Sequence, residues 1–502
     1  MHDHEYDLIV IGGGINGAGI ASDAALRGLR VALLEAKDFG GATSSASSKL
    51  IHGGLRYLEQ YEFRLVREAL AEREILMAKA PHLITPMRFR LPHRPQLRPA
   101  WMIRIGLFLY DHLAKRQQLS RSRAIRFDRH DGPLLHEIRR GFEYADGWVD
   151  DARLVLANVQ SVAERGGSVW NYCRCQSAFR QGTYWQVEAF DERRELGFEL
   201  RAKALVNAAG PWVNQVFDEQ LKQRSPRAIR LIQGSHIVVP RIHREPYAYI
   251  LQNDDQRIVF VIPYQQKYSL VGTTDVEFQG DPRHVHVSDQ EVNYLIGVVN
   301  AHFKHNLRLD DVLWSYSGVR PLCADESGVP QAITRDYTIE LDEDPKLPLL
   351  SVFGGKLTTY RKLAETAVDR LAPYFESCPA SRSRTDVLPG GDCDPDTLSP
   401  LLHQDYPFLT SAQASRIAHA YGSRARLWLR QAKQRSDLGQ WFGDDLSQAE
   451  IDYLVTNEWA YQSEDILWRR TKLGLVMSES QQLALNAYLS QSQLNAYQNK
   501  TA

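Results

Sequence analysis

Between Leu8 and Glu35 the chain carries a pattern that constrains its fold more tightly than anything else in the sequence. Leu8-Ile9-Val10-Ile11 is a short apolar run of the kind a strand buried on both faces requires. It leads into Gly12-Gly13-Gly14-Ile15-Asn16-Gly17-Ala18-Gly19, a helical stretch from Ile20 to Arg27, a stop at Gly28, and a second apolar strand, Val31–Leu34. Gly12, Gly14 and Gly17 have the spacing of a turn that brings backbone N–H groups and a helix N-terminus up to a pyrophosphate. Glu35, at the end of the second strand, stands where an acid hydrogen-bonds an adenosine ribose. The unit predicts a parallel α/β domain that binds a dinucleotide, and the acid argues against a 2′-phosphate.

The chain beyond this unit separates flavin from nicotinamide. Thr43-Ser44-Ser45-Ala46-Ser47-Ser48-Lys49 is a small polar loop after the second strand. A later strand ends in Asn207-Ala208-Ala209-Gly210, and a third turn reads Gly354-Gly355-Lys356-Leu357-Thr358. FAD proteins of the glutathione-reductase and amino-acid-oxidase type place flavin contacts at three such points, whereas a simple nicotinamide dehydrogenase needs only the first. Residues 230–275 are β-branched with turn breaks, which predicts an antiparallel sheet, and the pattern turns helical from about residue 383.

SSASSKLIHGGLRYLE (44–59), NAAGPW (207–212), GTTD (272–275), YSGVRPL (316–322) and FGGKLTTYRK (353–362) together resemble the FAD-dependent, respiratory glycerol-3-phosphate dehydrogenases. The resemblance runs through nearly the whole chain, and WRRTKLG (468–474) fits the family's helical C-terminal part. It implies an α/β fold: an FAD-binding Rossmann-like domain (1–75, 150–225, 331–380), an inserted antiparallel-sheet substrate domain (76–149, 226–330) and a helical C-terminal domain (385–502). It also implies FAD as cofactor, held by Gly12, Gly14, Gly17, Glu35, Thr43, Ser44, Ser45, Ser48, Asn207, Gly210 and residues 354–358. The implied reaction is oxidation of sn-glycerol 3-phosphate to dihydroxyacetone phosphate, with electrons passed to ubiquinone or menaquinone. An oxidase using oxygen and a non-catalytic flavin-binding regulator are the alternatives. The resemblance leaves room for a homodimer.

A small phosphorylated substrate needs several cations, because a dianion is costly to desolvate alone. Arg56, Arg320 and Lys356 sit at turns beside the flavin-like motifs, and Arg335 follows a strand-like run. An arginine fork suits phosphate oxygens. Tyr57 and Thr274 are hydroxyl candidates. Alcohol oxidation by hydride transfer also needs a base, for which neutral histidine is suited. His52 and His236 are the candidates, and His52 is favoured because it shares a stretch with Arg56; Arg320 could instead stabilise the forming alkoxide.

Residues 88–129 carry eleven Lys and Arg against two acids, Asp111 and Asp128, in a chain of net charge −1. At their centre lies an apolar stretch, Ala100 to Leu113, with Trp101 and Tyr110 near its ends. A one-sided apolar helix with basic flanks suits an anionic membrane surface, and Trp101, Ile103, Arg104, Leu107 and Phe108 are its expected contacts. The aromatics are not interleaved with the basic residues, so nucleic acid is not expected. The 502 residues include five scattered cysteines, which predict reduced thiols and no metal site. No apolar run approaches the ~20 residues needed to span a bilayer. The expected location is the cytoplasm, peripheral on the inner face of the inner membrane.

Overall fold

The computed structural model describes residues 5–94, 99–128, 132–255, 257–323, 337–342 and 346–501. Arg335 lies outside them, as does the side chain of Arg56. The opening unit folds as β1 (Glu5–Ile11), α1 (Ile15–Leu26) and β2 (Val31–Leu34). The helix begins five residues earlier than its apolar pattern predicts, because the glycine turn itself supplies its first turn. Its N-terminus has no side-chain cap and no acid in the first turn.

Two sheets form the body among the described residues. The first has eight strands with a parallel centre in the order Leu349–Phe353, Leu196–Asn207, β1, β2, Ser168–Trp170. Parallel strands covered on both faces must be apolar throughout, and Leu8, Ile9, Val10, Val31, Ala32 and Leu33 are completely buried. One face packs on α1 and on the helices Asp151–Glu164 and Tyr360–Leu371. The antiparallel hairpin Cys173–Gln181 with Tyr184–Asp191 extends from the Leu196–Asn207 strand.

The second sheet has ten strands, mostly antiparallel, and includes Leu50–Ile51, Ile84–Pro92, Arg140–Val149, Ile229–Pro240, Ile258–Tyr264, Tyr268–Gly272 and Trp314–Cys323. The antiparallel expectation for 230–275 is met there. Residues 395–491 are mostly helical around a separate core that includes Leu402, Ile417, Leu429, Ile451 and Ile466. All five cysteines are free thiols.

The expected amphipathic helix exists, at Ala100–His112, but it divides the expected contacts: Trp101, Arg104 and Phe108 lie outside, and Ile103 and Leu107 lie inside. Ile103 (8% exposed) and Leu107 (2%) point inward with Tyr110, packing with Leu58, Val66 and Leu70. Trp101 (63%), Met102 (44%), Ile105 (53%) and Phe108 (61%) form the outer apolar face, and Arg104 is exposed beside them. The rotation is set by Tyr110, whose hydroxyl donates to Asp146 and accepts from the Gly53 N–H at 2.8 Å. Ile103 and Leu107 are therefore core residues, not surface contacts. The basic excess is also partly neutralised from outside the segment, since Arg88, Arg90 and Arg123 all pair with the buried Glu143. Among the described residues, no helix is long and apolar enough to cross a membrane.

Candidate active site

The glycine turn closes as steric logic demands. Gly12 has φ +108°, and a Cβ there would meet the Ala208 carbonyl at 2.5 Å. A Cβ on Gly17 would fall on the Gly12 carbonyl oxygen, so helix and turn touch backbone to backbone. Gly14 is different: its Cβ would meet only the Ser44 hydroxyl, at 3.1 Å, so the protein itself does not exclude a side chain there. Ser44 accepts the Ile15 N–H at 2.9 Å. Glu35 accepts the Gly13 N–H at 2.7 Å and the Lys37 N–H at 2.8 Å. Burial raises its carboxyl above the ordinary value despite those donors. An uncapped helix N-terminus beside a glycine turn and a strand-end acid fits the pyrophosphate and ribose of FAD.

The other two expected turns meet this one. Ala208 N–H donates to the Ile11 carbonyl at 2.9 Å. Asn207 uses its amide to lock the following turn, donating to the Val213 carbonyl and accepting the Ala209 N–H. Gly210 sits in that turn at φ +56°, with open space where a Cβ would be. Asn16 donates to the Gly354 carbonyl at 3.0 Å, and a Cβ on Gly355 would meet the same amide. Leu357 to Thr359 form a short turn ahead of the Tyr360–Leu371 helix. Thr358 joins that turn to the His52 backbone, with contacts of 3.3 and 3.4 Å. Lys356 places its ammonium 4.2 Å from the centre of the Tyr57 ring.

The loop 43–49 lies against the second sheet. Thr43 donates to the Val319 carbonyl at 2.6 Å, and Ser45 to the Ala42 carbonyl. Lys49 pairs with the buried Asp151 at 2.7 Å. Ser48 lies 2.9 Å from His236 Nε2. His236 is buried, stacked on Tyr316 with ring centres 4.9 Å apart, and its Nδ1 has no partner. Burial, then the charges of Lys49 and Arg320, hold its imidazole well below the ordinary histidine value, so it is neutral. His52 differs, because its Nδ1 accepts the Gly54 N–H at 3.1 Å. In the neutral ring that leaves the proton on Nε2, which makes a donor and not a base. The two histidines lie near one another on the sheet: the His52 ring is 6.5 Å from that of Phe260, which pairs with Gly272, which pairs with His236.

Arg320 is opposite Ile232 on the neighbouring strand. Its guanidinium lies over Gly234, donates to the Thr274 carbonyl at 3.1 Å and pairs with Asp275 at 3.0 Å. Thr274 is fully buried, and its hydroxyl donates to Glu291 at 2.6 Å while accepting the Ser235 N–H. Its hydroxyl is thus enclosed in the framework, and its carbonyl is the part that touches the site. Asn16, Lys49, Asp151, Asp275 and Glu291 escaped the sequence reading. Asn16 lies inside the glycine turn, Lys49 at the end of the polar loop and Asp275 in the GTTD motif, whereas Asp151 and Glu291 had no such local signal. Among the described residues, no cluster of His, Cys, Asp and Glu could hold a metal ion.

Comparison with known proteins follows the same lines. A family model described as FAD dependent oxidoreductase matches residues 7–360, and one described as C-terminal domain of alpha-glycerophosphate oxidase matches residues 381–491. The chain is 58% identical over 486 residues to a protein of Escherichia coli K12 named aerobic glycerol-3-phosphate dehydrogenase, covering 96% of this chain and 97% of that one. It is 46% identical to a Brucella abortus protein named D-erythritol 1-phosphate dehydrogenase, covering 98% and 99%. A solved glycerol-3-phosphate dehydrogenase from Bacillus halodurans, complexed with FAD, superposes with a TM-score of 0.73 at 26% identity, covering 97% of this chain and 94% of that one. The glycine turn, the three flavin-type contact points and these matches agree, and the chain belongs to the FAD dependent oxidoreductase family.

Proposed function

We propose that this chain oxidises sn-glycerol 3-phosphate to dihydroxyacetone phosphate and delivers the electrons to a membrane quinone. The E. coli relative supports the substrate and the redox class. FAD supplies the hydride acceptor when bound. The observation that carries the reading within the chain is the placement of a neutral His236 and the Arg320 guanidinium on one sheet face, the face that meets loop 43–49. His236 takes the proton of the C2 hydroxyl through a ring nitrogen, which a neutral imidazole can do and a charged one cannot. The Arg320 guanidinium lies over Gly234, which is two residues along its strand from His236, a step of about 7 Å. That separation suits a short phosphorylated polyol, with its hydroxyl at the histidine and its phosphate at the arginine. Lys356, with Arg56 and Arg335, adds positive charge for the phosphate in this reading, Tyr57 offers a hydroxyl, and Nε2–H of His52 donates to the substrate oxygen.

The outer face of the Ala100–His112 helix, with Trp101, Met102, Ile105 and Phe108, lies on an anionic leaflet, and this contact brings the site to the quinone. In this reading an FAD-binding domain (1–75, 150–225, 331–380), a substrate domain (76–149, 226–330) and a helical C-terminal domain (385–502) divide the work, and the chain self-associates as a homodimer in the cytoplasm against the inner membrane.

The test is the visible spectrum of the purified protein under anaerobic titration. Bleaching by sn-glycerol 3-phosphate, but not by glycerol, supports the reading. Stronger bleaching by D-erythritol 1-phosphate moves the substrate to that of the B. abortus relative. Peroxide produced in proportion to turnover in air makes the protein an oxidase, and sedimentation velocity reads the dimer.

A further inference from the structure

Behind the strand that carries His236 lies a carboxylate that accepts five hydrogen bonds. Glu291 is the third residue of the helix Asp289–Asn300 and closes a capping box with Ser288. One oxygen accepts from Thr274 Oγ1 at 2.6 Å and Ser235 Oγ at 2.7 Å. The other accepts from Gln233 Nε2 at 2.9 Å, Ser288 Oγ at 2.8 Å and the Ser288 N–H at 3.0 Å. Ser235 in turn contacts Ser317 at 2.6 Å on the partner strand. Burial works against the charge, and the donors from Thr274, Ser235 and Ser288 outweigh it, so the carboxyl is held below its ordinary value.

Strand alternation gives this cluster its meaning. Gln233, Ser235 and Ser317 face Glu291, whereas Gly234, His236, Tyr316, Gly318 and Arg320 face the opposite way. That second face meets loop 43–49: Ser48 reaches His236, and a Cβ on Gly318 would meet Ala46 at 2.9 Å. The Thr274 hydroxyl holds Glu291 while its carbonyl holds Arg320, so a single residue links the carboxylate to the guanidinium. A Cβ on Gly234 would collide with the Arg320 Nη2, so the guanidinium fits only where this ribbon and turn hold their present separation.

We propose that Glu291 is a positioning residue for the substrate anion, fixing through Thr274 and Ser235 where Arg320 presents its guanidinium. The inference rests on the reading of Arg320 as the phosphate anchor. It predicts a defect in substrate capture and not in the chemical step. Glutamine at 291 can keep its one acceptor oxygen towards Gln233 and Ser288, but its N–H₂ then faces the Thr274 and Ser235 hydroxyls, which lose the acceptor that holds them. The turn must then shift.

The experiment uses the full-length, FAD-loaded enzyme, a soluble dye and sn-glycerol 3-phosphate. Glu291→Gln should raise KM about tenfold, the loss expected for one charge-assisted contact, with kcat within about twofold of the parent. In an Arg320→Lys background the same change should add less than about twofold, because it acts through a fork that is already gone. Independent, multiplicative losses in the two backgrounds, or a fall confined to kcat, overturn the inference. If Arg320→Lys alone leaves KM unchanged, the phosphate-anchor reading fails instead, and the single-variant result tells the two apart. Should Glu291→Gln not fold, Thr274→Val and Thr274→Ser replace it. Valine should reproduce the raised KM and serine should restore it. Equal effects of the two refute the link through the hydroxyl.

Discussion

Two sets of serine substitutions on one helix should have opposite outcomes. The outward set is Trp101, Ile105 and Phe108, each more than half exposed, and the inward set is Ile103 and Leu107. Fully burying a large apolar side chain is worth about 1.5–3 kcal/mol, so regaining the exposed half to two-thirds at an acyl boundary is worth about 1–2 kcal/mol each. The outward triple variant should thus lose about 3–6 kcal/mol of membrane affinity, or roughly two to four decades in partitioning. Its folded core is untouched, so its melting temperature and dye-linked activity should match the parent. The inward pair removes core volume at about 2–5 kcal/mol per site and buries two hydroxyls, which together rivals the whole stability of a typical domain. It should aggregate or melt far below the parent. The charge contribution is smaller than eleven basic residues suggest. Arg88, Arg90 and Arg123 are engaged by Glu143, while Arg104, Lys115, Arg121 and Arg126 are exposed, and at about 1 kcal/mol each near an anionic surface these four add about 4 kcal/mol that salt can screen. Flotation with anionic vesicles at low and high salt, melting curves, and parallel dye and quinone assays read all of this. An outward triple variant that floats like the parent places the anchor elsewhere. One that loses stability instead means that this face is packed in the assembled protein.

Three further outcomes follow from the geometry. Gly17→Ala puts a methyl onto the Gly12 carbonyl, so the protein should purify with little flavin, read as the ratio of visible to ultraviolet absorbance; full occupancy after dialysis would refute the turn assignment. Lys472→Met removes the ammonium that binds Asp150 at 2.5 Å and leaves it only the longer-range charges of Lys49 and Arg153; it should cost about 3–5 kcal/mol in denaturant unfolding, whereas a loss below about 1 kcal/mol means the pair is not buried in solution. Acid should destabilise the fold early: burial lowers His82 to about 3 and His243 and His302 to about 4. Their unfolded forms take up protons below about pH 6.5 while the native ones do not, so stability is full above that value and drains as pH falls towards 4, by about 1.4 kcal/mol per histidine at pH 5.5. A denaturant midpoint that stays flat from pH 7.5 to 5.5 contradicts this.

The parts of the site legible in the sequence are those written in local steric code. The glycine turn, the strand-end acid and the antiparallel ribbon each depend on residues within a few positions of one another. The helix at 100–112 was legible as a helix but not in its rotation, because apolar residues cover most of its circumference and the narrow polar side of Arg104 and Asp111 does not say which of them meet the core. A hydrogen bond to Gly53, 57 residues away in sequence, decides it. The same limit applies to charge. Arg90 and Arg123 look free in a basic segment until the sheet register sets both opposite Glu143. Thr274 resembles a substrate hydroxyl in a short motif, and only Glu291, brought from the next helix, turns it inward.

The C-terminal domain gains a physical role from the same kind of long-range contact. Arg469 and Arg470 both bind Asp38, three residues after the strand-end Glu35, and Lys472 binds Asp150. The neighbour of Asp150 is Asp151, which holds Lys49 in the loop that reaches His236. Trp468 stacks on Trp314 with centres 4.4 Å apart, and the adjacent Tyr316 donates to the Ser47 carbonyl at 2.8 Å. One five-residue segment therefore grips the loops on both sides of the dinucleotide turn and the strand carrying the site. Buried ion pairs add little net stability, because desolvation offsets most of their attraction, yet breaking one is expensive. Their effect is to make a single register of docking far better than any near neighbour. A domain fastened that way holds the cofactor loops in one arrangement, which a sheet edge and two exposed loops would not do by themselves.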